Sequence, residues 1–270
     1  MDSLIAIAVI LGVVEGLTEF LPVSSTGHLI LAGGALHFTG ELAGIFEVVI
    51  QAGAMLAVIG AYRGRVAGFF IPKQTGGLSG RRGWALMALT TAPALMLGFV
   101  FHHSIKEYLF KPVPVAMALA VGAAAILIVE SISLKARTDS VDGLSWQQAL
   151  GIGLFQCLAL WPGMSRAAAT IVGGMILGLD RKTSAEYSFL AAIPVIGAAT
   201  VYDLYKGAHG GLLHMSDAPM FIVGLLVSCV TAWLTIRMFL NYVSARTLRP
   251  FAVYRLILAV GVLRFFSSPI

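Results

Sequence analysis

The stretch EGLTEFLPVSSTGH, residues 15–28, decides how this chain folds. It places two acids, a proline, four hydroxyl residues and a histidine inside an apolar segment that runs from Leu4 to Leu36. Non-helical backbone at membrane depth survives only where protein buries it or where it lines a watery cavity. We therefore interpret the segment as two short helices with a polar break between them, inserted as a re-entrant hairpin.

The composition of the whole chain supports a membrane setting. Of its 270 residues, 58% are hydrophobic and 11% are charged, less than half of the roughly 25% charged residues in soluble domains. Its mean hydropathy is +0.90. This composition excludes a cytosolic enzyme, a disordered chain and a nucleic-acid binder, and it leaves a polytopic membrane protein. The net charge of +5 agrees, because the basic residues lie between apolar runs, as in loops that face anionic lipid.

A second break indicates an internal repeat. The stretch WPGMSR, residues 161–166, interrupts the apolar segment from Leu150 to Leu179. Half a chain separates the breaks, so that Pro22 and Ser25 fall opposite Pro162 and Ser165. Paired broken segments are typical of repeat-built membrane folds. We expect one integral membrane domain, residues 1–270, made of approximate repeats 1–135 and 136–270.

Six further segments approach the ~20 apolar residues that a membrane span needs. They are Phe46–Tyr62, Trp84–His102, Pro112–Leu134, Tyr187–Tyr205, Ala218–Leu240 and Phe251–Phe266. The sequence therefore predicts an all-α polytopic membrane protein with about six transmembrane helices and two re-entrant helix-loop-helix hairpins.

Charge bias predicts the orientation of these segments. The loop 63–83 contains five basic residues and no acid, which indicates a cytoplasmic loop. These basic residues are Arg63, Arg65, Lys73, Arg81 and Arg82. With six spans, the first hairpin must then enter from outside and the second from inside. The two hairpins would form an inverted-topology repeat with their polar tips near the midplane.

Two acids of the first break are candidates for chemistry. Glu15 and Glu19 are four residues apart, so one helical face carries both. Each charge at the bilayer centre costs on the order of 3 kcal/mol, which favours a polar cavity. Such a pair can hold a divalent cation or manage a proton. The alternatives are two interfacial acids or a neutral hydrogen-bonded pair.

The hydroxyl residues of both breaks suggest a phosphate site. Ser24, Ser25 and Thr26 precede an apolar run, as N-cap residues do, and free N–H groups at a helix N-terminus bind phosphate. Ser165 is expected to cap a second helix that starts near Ala167. Arg166 in its first turn needs an anion, either a phosphate or a structural partner among the two glutamates.

The remaining candidates are less specific. Thr170, one turn after Arg166, could face the same site or bond back to its own helix. Gln51 could hydrogen-bond into the site or join two helices. Cys157 and Cys229 lie in apolar stretches and are expected to be unreactive core thiols rather than a disulfide.

The two motifs resemble those of a known family. Residues 15–28 resemble the signature of the undecaprenyl-pyrophosphate phosphatases, also called bacitracin-resistance proteins. PGMSR at 162–166, followed by Thr170, resembles the second motif of that family, and the segments FEVVIQ (46–51) and AEYSFL (185–190) also match its pattern. The resemblance covers the whole chain.

The resemblance implies a bacterial inner-membrane, multi-pass enzyme that removes one phosphate from undecaprenyl pyrophosphate, the lipid carrier of cell-wall precursors. It implies a divalent cation, Mg²⁺ or Ca²⁺, and a site open to the outer, periplasmic face. The family's roles carry over to an acidic pair, a serine, a histidine and a phosphate-binding arginine. These residues are Glu15, Glu19, Ser25, His28 and Arg166.

Several alternatives stay open. Ser25, His28 or a water could attack phosphorus, and Ala167 stands where the family commonly has a serine. A transporter or flippase could use similar groups, and so could a structural or interaction protein, although burying acids and an arginine would then have no purpose. A second class of lipid phosphatase places a histidine six residues after the arginine, where this chain has Val172. The expected partners are membrane lipid and the substrate, without nucleic acid; a homodimer is compatible with the sequence.

Overall fold

The computed structural model describes residues 2–71, 77–132, 134–212 and 214–267, and within these ranges it is predominantly helical with no β-strand. Lys73 of the basic loop and Ser133 near the end of a predicted span lie outside them. The helices are α1 Asp2–Thr18, α2 Ser25–Ala35, α3 Glu41–Ala61, α4 Arg63–Phe69, α5 Gly80–Val100, α6 His102–Ser104, α7 Pro112–Ser131, α8 Trp146–Cys157, α9 Arg166–Ile176, α10 Arg181–His209, α11 Ala218–Val243 and α12 Arg249–Ser267.

The all-helical membrane fold is confirmed, with one difference in the number of spans. Among the described residues, five helical segments are long and apolar enough to cross a membrane. They are Glu41–Ala61, Gly80–Val100, Pro112–Ser131, Arg181–His209 and Met215–Val243. The sixth predicted span, Phe251–Phe266, is helix α12, which is not one of the five. This helix carries three arginines, at 249, 255 and 264.

Both interrupted segments fold as helix, break, helix. Helix α1 ends at Thr18, before Pro22 is reached, and turns occupy the residues up to Val23. In the second segment, α8 is followed by the 3-10 turn Leu158–Leu160 before α9 begins. The insertion of these segments as re-entrant hairpins from opposite faces stays a prediction.

The helix contacts have the pattern of an internal repeat. Helix α1 packs on α11, and its counterpart α8 packs on α5; α3 packs on α10, and α7 on α12. In chain order, α1, α3, α5 and α7 of the first half correspond to α8, α10, α11 and α12 of the second. Replacing each helix by its counterpart therefore gives the same set of contacts. The repeat boundaries 1–135 and 136–270 stay a prediction.

The structure pairs the residues of the two breaks one position differently from the sequence comparison, which placed Ser25 opposite Ser165. Ser24, not Ser25, is the residue that precedes α2 as Ser165 precedes α9. The offset between the repeats is thus 141 residues, the same offset that pairs Gly12 with Gly153. Ser25 and Arg166 consequently occupy the first position of their helices.

Close packing of the helices depends on glycine. A Cβ at Gly12 or Gly16 of α1 would come within 2.8 or 2.7 Å of a carbonyl oxygen of α11. A Cβ at Gly153 of α8 would likewise lie 2.8 Å from two carbonyl oxygens of α5. Small residues four apart let membrane helices approach closely. They hold α1 and α8, and with them the two breaks, against the rest of the bundle.

A set of hydrogen bonds to Asp142 connects the loops on the side of the protein that is predicted to be cytoplasmic. The Asp142 carboxylate accepts hydrogen bonds from the Leu78 N–H at 2.8 Å and from the Arg65 guanidinium at 3.0 Å. The Leu78 N–H and then the Arg65 guanidinium hold the pKa of the Asp142 carboxyl below its usual range. The exposed ion pair joins α4 to the turn before α8, and the Leu78 N–H joins the segment before α5 to the same carboxylate.

We predict that Gly53→Ala destabilises the protein. A Cβ at Gly53 of α3 would overlap the Leu225 carbonyl oxygen of α11, and overpacking of this kind costs about 1–3 kcal/mol. Thermal unfolding in detergent measures the effect. Gly60→Ala on the same helix is the matched control, because a Cβ there meets nothing within 4 Å. Equal unfolding temperatures for the two variants would contradict the packing argument.

Candidate active site

The two breaks meet around one cavity of about 160 Å³. Its apolar wall includes Ala159, Val195, Ile196 and Ala199. Its polar wall contains seven of the predicted site residues: Glu19, Ser24, Ser25, Thr26, Gln51, Ser165 and Arg166. A cavity with one apolar and one polar wall suits an amphipathic ligand.

Each break presents a capped helix N-terminus at this cavity. The Ser24 hydroxyl accepts a hydrogen bond from the Gly27 N–H at 3.3 Å, and the Ser165 hydroxyl accepts one from the Ala168 N–H at 3.1 Å. Both serines have positive φ, 74° and 69°, where backbone strain costs about 1–3 kcal/mol. The capping role that the sequence predicted for Ser165 is therefore present, with Ser24 in the same role for α2. The two N-termini face the cavity with their positive dipole ends.

The Glu19 carboxylate connects the two breaks. Its Oε1 lies 2.9 Å from Nη2 of Arg166 in a largely buried ion pair, and its Oε2 accepts a hydrogen bond from the Ser25 hydroxyl at 2.7 Å. Glu19 is one residue beyond α1, but its N–H still bonds to the Glu15 carbonyl at 2.9 Å. The structural partner considered for Arg166 is thus Glu19. The same carboxylate is in position to accept a proton from the Ser25 hydroxyl.

The Arg166 guanidinium is held from its other side by Ser188 of α10. Arg166 Nη1 donates to the Ser188 carbonyl oxygen at 2.8 Å and to its hydroxyl oxygen at 3.2 Å. Thr170 bonds back to the Arg166 carbonyl at 2.8 Å, and its hydroxyl lies 2.7 Å from that of Ser188. Thr170 does not line the cavity. Of the two roles left open for Thr170, the structure shows the hydrogen bond to its own helix. Through Ser188, Thr170 is part of the hydrogen-bond network that holds the Arg166 guanidinium.

Packing around Phe20 fixes the first break next to Arg166. The Phe20 ring is fully buried and packs edge-on against Phe189 of α10 at a centroid distance of 5.2 Å. The Arg166 guanidinium carbon lies 5.6 Å from the centre of the same ring. Because Phe20 directly follows Glu19, this contact sets where the carboxylate lies.

His28 lies on α2 but is not among the cavity-lining residues. Its Nδ1 is 2.7 Å from the Ser24 carbonyl oxygen, and its Nε2 is 2.7 Å from the Tyr254 hydroxyl. The two rings are stacked at an interplanar angle of 8°. Both ring nitrogens therefore have partners that are not Ser25. In this geometry His28 supports the break, whereas Glu19 contacts the Ser25 hydroxyl.

Glu15 lies behind the cavity, fully buried. Neither of its carboxylate oxygens has a hydrogen-bond partner among the described residues. A buried charged carboxylate without partners is costly. Because no described residue bonds to them, the two Glu15 oxygens next to Glu19 are available to bind a cation or a proton.

Sequence reasoning missed three residues of this region. Ser188 lies within AEYSFL, which was noted as a family-like segment without a role for its serine. Tyr254 and Arg255 lie on α12, and the sequence contained a signal that could have identified Arg255. An arginine in the middle of an apolar segment is by default a candidate for function.

The two cysteines are free, as expected, and each is half-buried. The described residues contain no group of three or more His, Cys, Asp or Glu side chains arranged to hold a metal ion.

Comparison with known proteins identifies the family. A family model described as "Bacitracin resistance protein BacA" matches residues 8–261. The chain belongs to this family. Among its relatives are proteins named undecaprenyl-diphosphatase from Oleidesulfovibrio alaskensis, 54% identical over 96% of this chain and 98% of the relative, and from Maridesulfovibrio salexigens, 54% identical over the same shares. A protein of that name from Nitrosomonas europaea is 47% identical over 95% of this chain and 93% of the relative.

We predict strong thermodynamic coupling between Glu19 and Arg166 in this BacA-family chain. Removing one member of a buried ion pair leaves an uncompensated charge and costs about 3–5 kcal/mol. Arg166→Met should thus destabilise the protein more than the double variant Glu19→Gln/Arg166→Met. Thermal unfolding of both single variants and the double variant gives the coupling.

The Arg65–Asp142 pair provides the matched control for this cycle. Its side chains are 34% and 48% exposed, against 11% and 9% for Arg166 and Glu19. Exposed pairs contribute about 0–1 kcal/mol. If Arg65→Met/Asp142→Asn shows coupling as large as that of the buried pair, the argument from burial is wrong.

Proposed function

We propose that this chain hydrolyses undecaprenyl pyrophosphate to undecaprenyl phosphate and inorganic phosphate. This reaction regenerates the lipid carrier for cell-wall synthesis and confers resistance to bacitracin. The observation that carries the proposal is the hydrogen bond from the Ser25 hydroxyl to Glu19 Oε2, next to Arg166 and two capped helix N-termini. The BacA-family match and the shared name of the relatives support the same reaction.

The pyrophosphate group binds in the cavity between the breaks. Arg166 and the N–H groups of the two helix N-termini hold its oxygens, and the hydroxyls of Thr26 and Ser165 and the Gln51 amide contribute hydrogen bonds. The apolar wall of Ala159, Val195, Ile196 and Ala199 receives the first prenyl units, while the rest of the tail stays in lipid. In the bacterial inner membrane the cavity opens to the periplasmic face, as the charge bias of the loops supports.

Ser25 is the nucleophile of this mechanism. Glu19 takes the hydroxyl proton as the Ser25 oxygen attacks the terminal phosphorus, and the bridging P–O bond breaks to release undecaprenyl phosphate. Arg166 stabilises the charge that develops on the phosphoryl oxygens. Glu19 passes the serine proton to the departing phosphate oxygen, and the regenerated carboxylate then activates a water that hydrolyses the phosphoserine. His28 does not contact the substrate but stabilises the turn at Ser24 through its hydrogen bond to the Ser24 carbonyl oxygen.

A divalent cation fits the acidic pair. Both Glu15 oxygens are buried and unpartnered, and Mg²⁺ commonly binds through one or two carboxylates together with substrate phosphate oxygens. Glu15 and Glu19 would hold it, and the cation would neutralise charge on the pyrophosphate. Glu15 would keep the cation beside Glu19 without competing for the Ser25 proton.

The test of the function is phosphate release from undecaprenyl pyrophosphate by the purified protein in detergent. We expect Ser25→Ala to lower the rate by several orders of magnitude, Glu19→Gln by about 10²–10⁴-fold, and His28→Ala by far less. Ser131→Ala is the matched control, because that hydroxyl is exposed and bonds only to its own helix at the Leu127 carbonyl. Quenched wild-type reactions should contain phosphoserine at position 25.

Two results would contradict this proposal. A phosphoenzyme that survives Ser25→Ala but not His28→Ala would make His28 the nucleophile. Movement of the lipid across vesicles without phosphate release would instead favour a transporter.

Thermal unfolding in a Mg²⁺ titration tests the cation independently of activity. Ligand binding to the folded state raises the unfolding temperature. We expect Mg²⁺ to stabilise the wild type and to lose this effect in Glu15→Gln. Glu41→Gln, at an exposed acid in the first turn of α3, is the control and should respond like the wild type. Equal stabilisation of all three proteins would place the cation elsewhere.

A further inference from the structure

One fully buried arginine of the chain is not used by the mechanism above. Arg255 of α12 is 0% exposed and donates four hydrogen bonds, all to backbone carbonyl oxygens. Two of them go to α7, from Nε to Leu119 at 3.1 Å and from Nη2 to Ala118 at 3.1 Å. The other two go to the breaks, from Nη1 to Pro22 at 3.2 Å and from Nη2 to Gly163 at 3.1 Å.

The two break carbonyls are equivalent positions of the repeat. Pro22 lies two residues before the cap Ser24, and Gly163 lies two residues before the cap Ser165. One guanidinium therefore holds the same point of each break. Because a guanidinium is a rigid planar fork, it fixes the distance between the two turns that lead into α2 and α9.

The α7 surface is shaped to seat this guanidinium. A Cβ at Gly122 would overlap Arg255 Nη2 and would come within 2.7 Å of its Cζ. Only glycine at 122 allows Arg255 to lie against α7 at this depth. The guanidinium is thus held by α7 on one side and by both breaks on the other.

The charge of Arg255 is balanced by carbonyl dipoles rather than by an acid. The ion pairs found in the described parts of the chain do not include Arg255. Its positive charge lies directly behind the turns whose helices face the cavity. It therefore adds to the potential that attracts an anion between the helix N-termini.

We propose that Arg255 is a positioning residue that sets the spacing of the two helix N-termini and so the geometry of the pyrophosphate site. This inference rests on the proposed function. Arg255 does not line the cavity; it acts through the Pro22 and Gly163 carbonyls on Ser25 and Arg166. The neighbouring Tyr254 holds His28, so two consecutive residues of α12 support the first break.

The experiment compares Arg255→Met, Arg255→Lys and Gly122→Ala with the wild type. Each protein is assayed for kcat and KM with undecaprenyl pyrophosphate, for inhibition by inorganic pyrophosphate, and for thermal unfolding in detergent. Arg237→Met is the matched control, because Arg237 is exposed on α11 and stacks on Trp233 at 3.8 Å.

We expect Arg255→Met to lower kcat by about 100-fold, the effect of misplacing reacting groups by about 1 Å. The inhibition constant of inorganic pyrophosphate should rise about tenfold, as for losing one charge-assisted contact. Arg255→Lys should recover part of both effects, since it keeps the charge and reaches some of the carbonyls. Gly122→Ala should lower kcat with the arginine still present, and Arg237→Met should change neither quantity.

Two outcomes would overturn the inference while leaving the proposed function intact. In the first outcome the wild type is active, and the Arg255→Met and Gly122→Ala variants fold and have the same kcat and the same inhibition constant for inorganic pyrophosphate as the wild type. The other is loss of activity in all three variants in proportion to lowered unfolding temperature, without recovery in Arg255→Lys, which would make the role of Arg255 structural only. A folded wild type that releases no phosphate would instead contradict the proposed function.

Discussion

Backbone polar groups at membrane depth need partners within the protein, and the rest of this structure depends on that constraint. The two breaks expose N–H and C=O groups that the ends of α1, α2, α8 and α9 leave unpaired. The Ser24 and Ser165 hydroxyls accept from the freed N–H groups, and Arg255 donates to the freed carbonyls of Pro22 and Gly163. The groups that satisfy the breaks also form the proposed anion site, because N–H groups remain available at both helix N-termini.

The same scaffold carries different chemistry in its two halves. Ser25 and Arg166 are the first residues of α2 and α9, so the proposed nucleophile and the proposed phosphate-binding cation occupy equivalent positions. Glu15 likewise corresponds, at the offset of 141 residues, to Gln156, whose amide donates to the Thr90 carbonyl at 3.0 Å. In the proposed mechanism, one half therefore supplies the carboxylates and the attacking hydroxyl, whereas the other supplies the charge that receives the phosphate.

The strained serines show how the site is oriented. Positive φ at Ser24 and Ser165 turns the chain sharply into each helix, so that the following residue faces the cavity at once. Phe20 packs beside the first turn, and Arg255 hydrogen-bonds to both turns. Glu19 then joins the two turns by bonding to both Ser25 and Arg166, and the orientation of one break depends on the other.

The amino-acid pattern alone predicted the all-helical membrane class, both breaks, the capping serine of α9 and most of the residues that meet in the cavity. It could do so because apolar runs, prolines and clustered hydroxyls act locally, through helix propensity and desolvation. The pairing of Glu19 with Arg166, the contact of His28 with Tyr254 and the bridging of the two breaks by Arg255 became apparent only from the packed helices. These are contacts between residues up to 233 positions apart, and which partner a buried polar group finds depends on how the helices pack, which local pattern does not encode.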